Sequence, residues 1–335
     1  MSGYRVAFVS LGCDKNRVNT EQMMALVEGA GHILVADPAE ADVAVLNTCS
    51  FIDSAKEESI SHILSLDECR DTGSLRKILV AGCLPQRYGE DIFSELPEVD
   101  GILGTGSFSW INEAIEEAMD GGCPRYFGDI DAPVEELPRV VTTPRYTAFL
   151  RIAEGCDNRC AYCVIPSLRG RYRSRAMEDI LTEAKHLAAG GVKELILIAQ
   201  DVTRYGSDRY GRRRLSDLVE ALCRIDGFHW IRLHYLYPDQ IDGALIDTIA
   251  REEKVVKYLD IPIQHCSDRL LRAMHRRGTK AELEALFDAL RAKIPGVALR
   301  TSLIVGFPGE TEDDFEELCD FLRRQKLPRA GVFAF

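Results

Sequence analysis

Through the first third of the 335-residue chain, short apolar runs alternate with longer stretches of helical period. The runs at 6–9, 43–46 and 78–81 are continuous, and each precedes a stretch (19–28, 53–66 and 86–96) in which apolar positions recur at three- and four-residue spacing. Strands buried on both faces read this way, so residues 1–130 are predicted to form βαβ units of a doubly wound parallel sheet. Residues 131–145 carry Pro133, Pro138 and Pro144 among charged and β-branched positions, which predicts an extended linker. Beyond it, strand-like runs at 149–152, 194–199, 230–235, 258–261, 297–305 and 330–335 are separated by helical patterns that include 177–189, 215–224, 281–292 and 312–324. Six such units over 146–335 predict a partial (β/α)6 barrel, with its chemistry at the C-terminal strand ends.

Composition narrows the class. The hydrophobic share of 46% is enough for two cores, and nothing approaches the roughly 18 consecutive apolar residues a membrane span needs, so a soluble cytoplasmic protein with no membrane partner is expected. Eleven cysteines without a signal peptide point to metal or redox chemistry in a reducing compartment rather than to disulfides. A formal net charge of −12 argues against an extended nucleic-acid footprint and suits a basic partner. The one local exception is the basic run Leu168-Arg169-Gly170-Arg171-Tyr172-Arg173-Ser174-Arg175, which reads either as an RNA contact or as a solvated, ion-paired segment.

Six of the cysteines fall into two patterned trios. Directly after the first barrel strand, Glu154-Gly155-Cys156-Asp157-Asn158-Arg159-Cys160-Ala161-Tyr162-Cys163 places three thiols on one tight loop with C-x3-C-x2-C spacing. Three ligands for a four-iron cluster leave one iron open for another molecule, and Tyr162 is placed to shield the cluster from water. An incomplete zinc loop, or three cysteines that merely pack, is the plainer alternative. In the first domain Cys13, Cys49 and Cys83 each follow a different predicted strand, and residues beyond the carboxyl ends of such strands converge in one crevice, which predicts a second three-thiolate site. Cys69, Cys123, Cys223, Cys266 and Cys319 lack this placement and read as packing residues.

The loop at Cys156, Cys160 and Cys163, with its aromatic residue before the third cysteine, resembles the radical S-adenosylmethionine (SAM) superfamily. That resemblance implies that the open iron binds SAM and that one electron releases a 5′-deoxyadenosyl radical. It also implies SAM contacts at Gln200 and Asp201, in Ala199-Gln200-Asp201, and at Gly306, in the glycine-bearing stretch from Leu303 to Glu310. Gln264 and Arg300, polar residues in barrel strands or at their ends, are read equally as SAM contacts or as structural hydrogen-bonding groups. The two trios together resemble the methylthiotransferase family, in which a second [4Fe-4S] cluster takes part in sulfur delivery.

Three motifs resemble the RimO branch of that family: Leu11-Gly12-Cys13-Asp14-Lys15-Asn16, Ala199 to Gly206, and Ile263-Gln264-His265-Cys266-Ser267-Asp268. The branch implies an aspartate of small-subunit ribosomal protein twelve as substrate, methylthiolated at its β-carbon, and an electron donor such as flavodoxin or ferredoxin. The related MiaB type acts on an isopentenyl-adenosine of tRNA and is the alternative; a non-catalytic iron–sulfur or zinc protein is a second. The family usually continues into a small β-barrel domain called TRAM, and the sequence, ending at Phe335 straight after an apolar run, reads as truncated before it.

Overall fold

A computed structural model describes residues 3–335. The chain divides into two compact units: one holds the chain to Thr142 together with Val164–Arg171, the other Thr143–Cys163 together with Tyr172–Phe335. The division is not a single cut in the sequence, because the eight residues after Cys163 group with the first unit.

Unit 1 runs β1 (Arg5–Ser10), α1 (Asp14–Gly29), β2 (Ile33–Val35), β3 (Val43–Thr48), α2 (Asp53–Thr72), β4 (Lys77–Gly82), α3 (Cys83–Tyr88), α4 (Asp91–Glu95), β5 (Gly101–Leu103), α5 (Ile111–Met119) and β6 (Arg125–Tyr126), and it takes in α6 (Ile165–Arg169). Its six strands are parallel in the order β2-β1-β3-β4-β5-β6. The continuous apolar runs are explained by two cores, one on each face. Ala44, Leu46, Ile78 and Val80 pack with Ile63 and Leu66 of α2. Their neighbours Val43, Val45, Leu79 and Ala81 pack with Met23 of α1 and with Ile111 and Ile115 of α5.

The predicted strands and α2 are present, but two helices differ from the periodic reading. α1 begins at Asp14, ahead of the expected 19, because its first turns bury Lys15, Asn16, Asn19 and Thr20 in place of an apolar stripe. The single helix expected over 86–96 is two short ones, broken at Gly89, whose φ is +56°. β2, β5 and β6 were not signalled by the sequence, being two or three residues each.

Unit 2 is built on β7 (Thr147–Arg151), β10 (Glu194–Ile198), β11 (Trp230–Leu233), β12 (Val255–Asp260), β13 (Ala298–Val305) and β14 (Arg329–Ala334), with β8 (Ala153–Glu154) and β9 (Arg173–Ser174) forming a small antiparallel pair. The six main strands are all parallel and lie side by side in chain order, with β7 and β14 at the two edges. That is an open, partial (β/α)6 barrel. Helices α7 (Met177–Ala189), α8 (Leu215–Cys223), α9 (Gly243–Arg251), α10 (Asp268–Ala273), α11 (Lys280–Lys293) and α12 (Glu312–Gln325) connect the strands. Leu195, Leu197, Ile231, Leu233 and Leu259 share one core with Ile180, Leu218, Ile249, Phe287 and Phe321 of the helices. Among the described residues, no helix is long and apolar enough to cross a membrane.

Residues 139–142 do not run free of unit 1. Glu21, on α1, accepts from Arg139 Nη1 at 2.9 Å and from the Thr142 N–H at 2.8 Å, and the Val140 N–H donates to the Glu21 carbonyl at 3.0 Å. The Arg139 and Glu21 side chains are only 6% and 2% exposed. Removing one partner of a buried, hydrogen-bonded ion pair costs roughly 3–5 kcal/mol. Glu21→Ala is therefore expected to lower the urea midpoint of unit 1 and speed tryptic cleavage at Arg139; an unchanged midpoint and cleavage rate would show that the strap contributes nothing.

Candidate metal centres

In unit 1, three strands each deliver one cysteine. β1, β3 and β4 end at Ser10, Thr48 and Gly82, and Cys13, Cys49 and Cys83 follow them. Because β1 lies between β2 and β3, the direction in which the sheet grows reverses at β1 and β3, and it is beyond such a reversal that a doubly wound sheet opens a ligand crevice. Two left-handed glycines allow the loops to close there. Gly12 has φ +85°, and a Cβ on it would sit 2.8 Å from Cys49 Cβ. Gly82 has φ +95°, and a Cβ on it would meet Asn47 Oδ1 at 2.3 Å and the Thr48 carbonyl at 2.9 Å.

Asn16 clamps the crevice. Its Nδ2 donates to the Leu11 carbonyl at 3.1 Å and to the Thr48 carbonyl at 2.8 Å, tying the loop of Cys13 to the strand end of Cys49. Ser50 Oγ donates to the Cys83 carbonyl at 2.9 Å, which fixes the third loop. Arg169 reaches the same place, with Nη1 on Asn19 Oδ1 at 2.8 Å, Nη2 on Asn16 Oδ1, and Nη2 3.6 Å from Cys83 Sγ. Burial pushes the Cys49 thiol up, with charge on Cys83 and Cys13 adding to it, while the Phe51 backbone N–H and Arg169 pull it down. The three thiols thus share one electrostatic neighbourhood.

In unit 2 the loop after β8 turns at Gly155, φ +77°, and again at Arg159, φ +51°. Cys156, Cys160 and Cys163 are all half-buried. Burial pushes the Cys156 thiol up to about 12, and charge on Asp201, Cys163 and Cys160 adds to the effect. The Ala161 N–H donates to the Met274 carbonyl at 3.0 Å and anchors the loop to the end of α10. Around Cys160 stand Tyr237 Oη at 3.9 Å and Arg276 Nη1 at 4.0 Å. Arg276 is held by Tyr162 Oη at 3.1 Å and the Pro262 carbonyl at 2.6 Å, with its guanidinium over the Tyr237 ring.

The positions read from the sequence as SAM contacts fall into two groups. Gln200 and Asp201 follow β10 and join the cysteine loop. Gln200 Nε2 donates to Glu154 Oε1 at 2.8 Å, which leaves Gln200 Oε1 buried without a hydrogen-bond partner. Asp201, fully buried, accepts from Asn158 Nδ2 of the loop at 2.9 Å and from the Thr203 N–H at 3.1 Å. Gln264, Arg300 and Gly306 belong to β13 and the segment paired with it. Gln264 is left-handed at φ +70° and pairs through its backbone with Ser302 and Ile304. Arg300 donates to Asp260 Oδ1 at 2.6 Å, and Gly306, φ +77°, is exposed, with the Phe335 backbone nitrogen 4.0 Å from where a Cβ would sit.

Among the described residues, no three Cys, His, Asp or Glu converge on a single metal ion. A lone zinc requires that convergence, whereas a four-iron cluster takes its thiolates at separate irons and so asks for wider spacing. Each trio offers three free thiols as candidates for such a cluster. Sequence reading gave no site role to Arg276 or Tyr237, which carry no motif; Tyr237 is placed by the loop after β11 and Arg276 by the loop after α10. The basic run at 168–175 is also largely internal: Arg169 and Arg175 are buried, the latter on Glu183 at 2.7 Å and the Arg151 carbonyl at 2.6 Å.

Residues 150–322 match the radical SAM superfamily, and residues 5–104 match a family described as uncharacterized protein family UPF0004. The chain is 52% identical, over 99% of its length and 76% of the relative's, to the ribosomal protein uS12 methylthiotransferase RimO of Lachnoclostridium phytofermentans. It is 51% identical to the RimO of Pelotomaculum thermopropionicum, over 99% of this chain and 75% of that one. The chain belongs to the RimO family of radical SAM proteins. Its fold is shared with the radical SAM methyltransferase TsrM of Kitasatospora setae, at a TM-score of 0.71 and 13% identity over 98% of this chain and 72% of that one. Family membership brings two [4Fe-4S] clusters and SAM, and the two trios are the candidates to hold them.

With Cys13, Cys49 and Cys83 as candidate ligands, the two glycines become testable. Gly12→Ala and Gly82→Ala are each expected to reduce iron after anaerobic reconstitution from about eight to about four per chain, with SAM cleavage retained. A full iron complement in both variants would mean that the crevice tolerates the displaced loops.

Proposed function

We infer that this chain is a radical SAM methylthiotransferase that inserts a methylthio group at the β-carbon of an aspartate in ribosomal protein uS12. The observation that carries this reading is the pairing of two cysteine trios, one per unit, in a chain half-identical over nearly all its length to uS12 methylthiotransferases. An unactivated C–H bond offers no acidic proton to a side-chain base, and SAM bound at a reduced cluster supplies the carbon radical that opens it.

Each residue has a place in that reading. Cys156, Cys160 and Cys163 hold the cluster that binds SAM, and Cys13, Cys49 and Cys83 hold the cluster that takes part in sulfur delivery. Gln200 Oε1, a buried acceptor with its amide nitrogen already engaged, suits the amino group of SAM. Asp201 orients the cysteine loop through Asn158. Gln264 and Gly306, at the carboxyl end of the barrel strands, would contact the adenosyl group of bound SAM, and Arg300 is a positioning residue tied to Asp260. A net charge of −12 attracts a basic ribosomal protein, and a small reductant of the flavodoxin or ferredoxin class supplies the electron.

Mass spectrometry of uS12 and of tRNA from a strain lacking this gene tests the substrate. Loss of the methylthio group from uS12 with tRNA intact is expected; normal uS12 with lost tRNA methylthiolation would overturn the reading in favour of a MiaB-type enzyme. Cys156→Ala is expected to abolish 5′-deoxyadenosine formation from SAM and dithionite. Cys49→Ala should retain it while blocking sulfur insertion, and equal loss of both activities in the two variants would contradict the division between the trios.

A further inference from the structure

Arg169 is 3% exposed, and it ends α6, a helix that starts two residues after Cys163 yet belongs to unit 1. Two amide oxygens fix its guanidinium, Asn19 Oδ1 at 2.8 Å on Nη1 and Asn16 Oδ1 on Nη2. Asn16 is in turn held on the Leu11 and Thr48 carbonyls, so the fork is anchored to the backbone that carries Cys13 and Cys49. From that position Nη2 stands 3.6 Å from Cys83 Sγ, and the guanidinium lies 5.9 Å from the centre of the Phe108 ring, an apolar neighbour that limits solvent screening. A planar guanidinium held on two sides can aim one N–H at a sulfur in a way a flexible ammonium cannot.

Hydrogen bonds to cluster sulfurs and nearby charge are among the principal determinants of a cluster's reduction potential, because the reduced cluster carries one more negative charge than the oxidised one. We propose that Arg169 is a positioning residue for the cluster of Cys13, Cys49 and Cys83: its N–H on the Cys83 sulfur and its buried positive charge raise that cluster's reduction potential. The proposal rests on the reading of those three cysteines as cluster ligands. It also gives the chain after Cys163 a purpose. The stretch that leaves one cysteine loop supplies the cation of the other site, so the basic run 168–175 contributes at least one arginine to the metal chemistry.

The test uses the full chain with Cys156, Cys160 and Cys163 replaced by Ala, so that any cluster present belongs to the first trio. Iron content, circular dichroism and an EPR-monitored redox titration are then compared for this parent, Arg169→Gln and Arg169→Lys. The parent is expected to hold about four irons. Arg169→Gln is expected to lower the reduced-to-oxidised ratio at the parental midpoint about tenfold, equivalent to about 59 mV for a one-electron couple. Arg169→Lys, which keeps the charge without the fork, should fall between the two. A parent that binds no iron would refute the ligand reading and the proposal with it. Iron-replete parent and variants sharing one midpoint would refute the proposal alone. Loss of iron from both variants at unchanged helicity would reduce Arg169 to a structural residue and overturn it equally.

Discussion

Gathering three thiolates in one place is unfavourable on two counts: each loses hydration and each repels the others. Both units bear the marks of this. Cys156 is pushed to about 12 chiefly by burial, then by its charged neighbours, and Cys49 is raised by burial and by Cys83 and Cys13. Bound iron would reverse the balance, because a coordinated thiol is deprotonated outright and the same proximity would become ligation. What the fold must therefore supply is rigidity, since nothing about three free thiols would bring them together unaided.

The two units supply it differently. Unit 2 places all three cysteines on one loop, and the loop is held by the Asn158–Asp201 contact and by the Met274 carbonyl. Unit 1 brings them from three strand ends separated by more than 30 residues each, so its rigidity comes from the parallel sheet, with Asn16 and Ser50 bridging one strand end to the next. The left-handed glycines at positions 12 and 82 follow from that second solution: three loops meeting in one crevice leave no room for a Cβ where they cross. Topology does for the first trio what spacing in sequence does for the second.

Cysteine position was legible in the sequence because the first trio depends on strand ends, which continuous apolar runs mark well, and the second on spacing within one loop. The supporting residues were not. α1 buries Asn16, Asn19 and Glu21, so the segment that clamps the crevice carries no apolar stripe, and its start was placed five residues late. Arg276 and Tyr237 reach Cys160 from the ends of other elements, a convergence that no local pattern encodes. Short strands such as β5 and β6 are stabilised by their neighbours in the sheet rather than by propensity, and so left no signal.

The basic run after Cys163 shows how such a gap changes a functional reading. As sequence, four arginines interleaved with Tyr172 suggest a surface for phosphate. In the fold Arg169 turns to Asn16, Asn19 and Cys83, Arg175 to Glu183 and a backbone carbonyl, and Arg171 lies beside Asp131. Phosphate recognition needs cations that point outward together, and two of these four are buried. Half of the charge in this stretch is thus committed inward, to Asn16, Asn19, Glu183 and a backbone carbonyl, while Arg171 stays exposed beside Asp131.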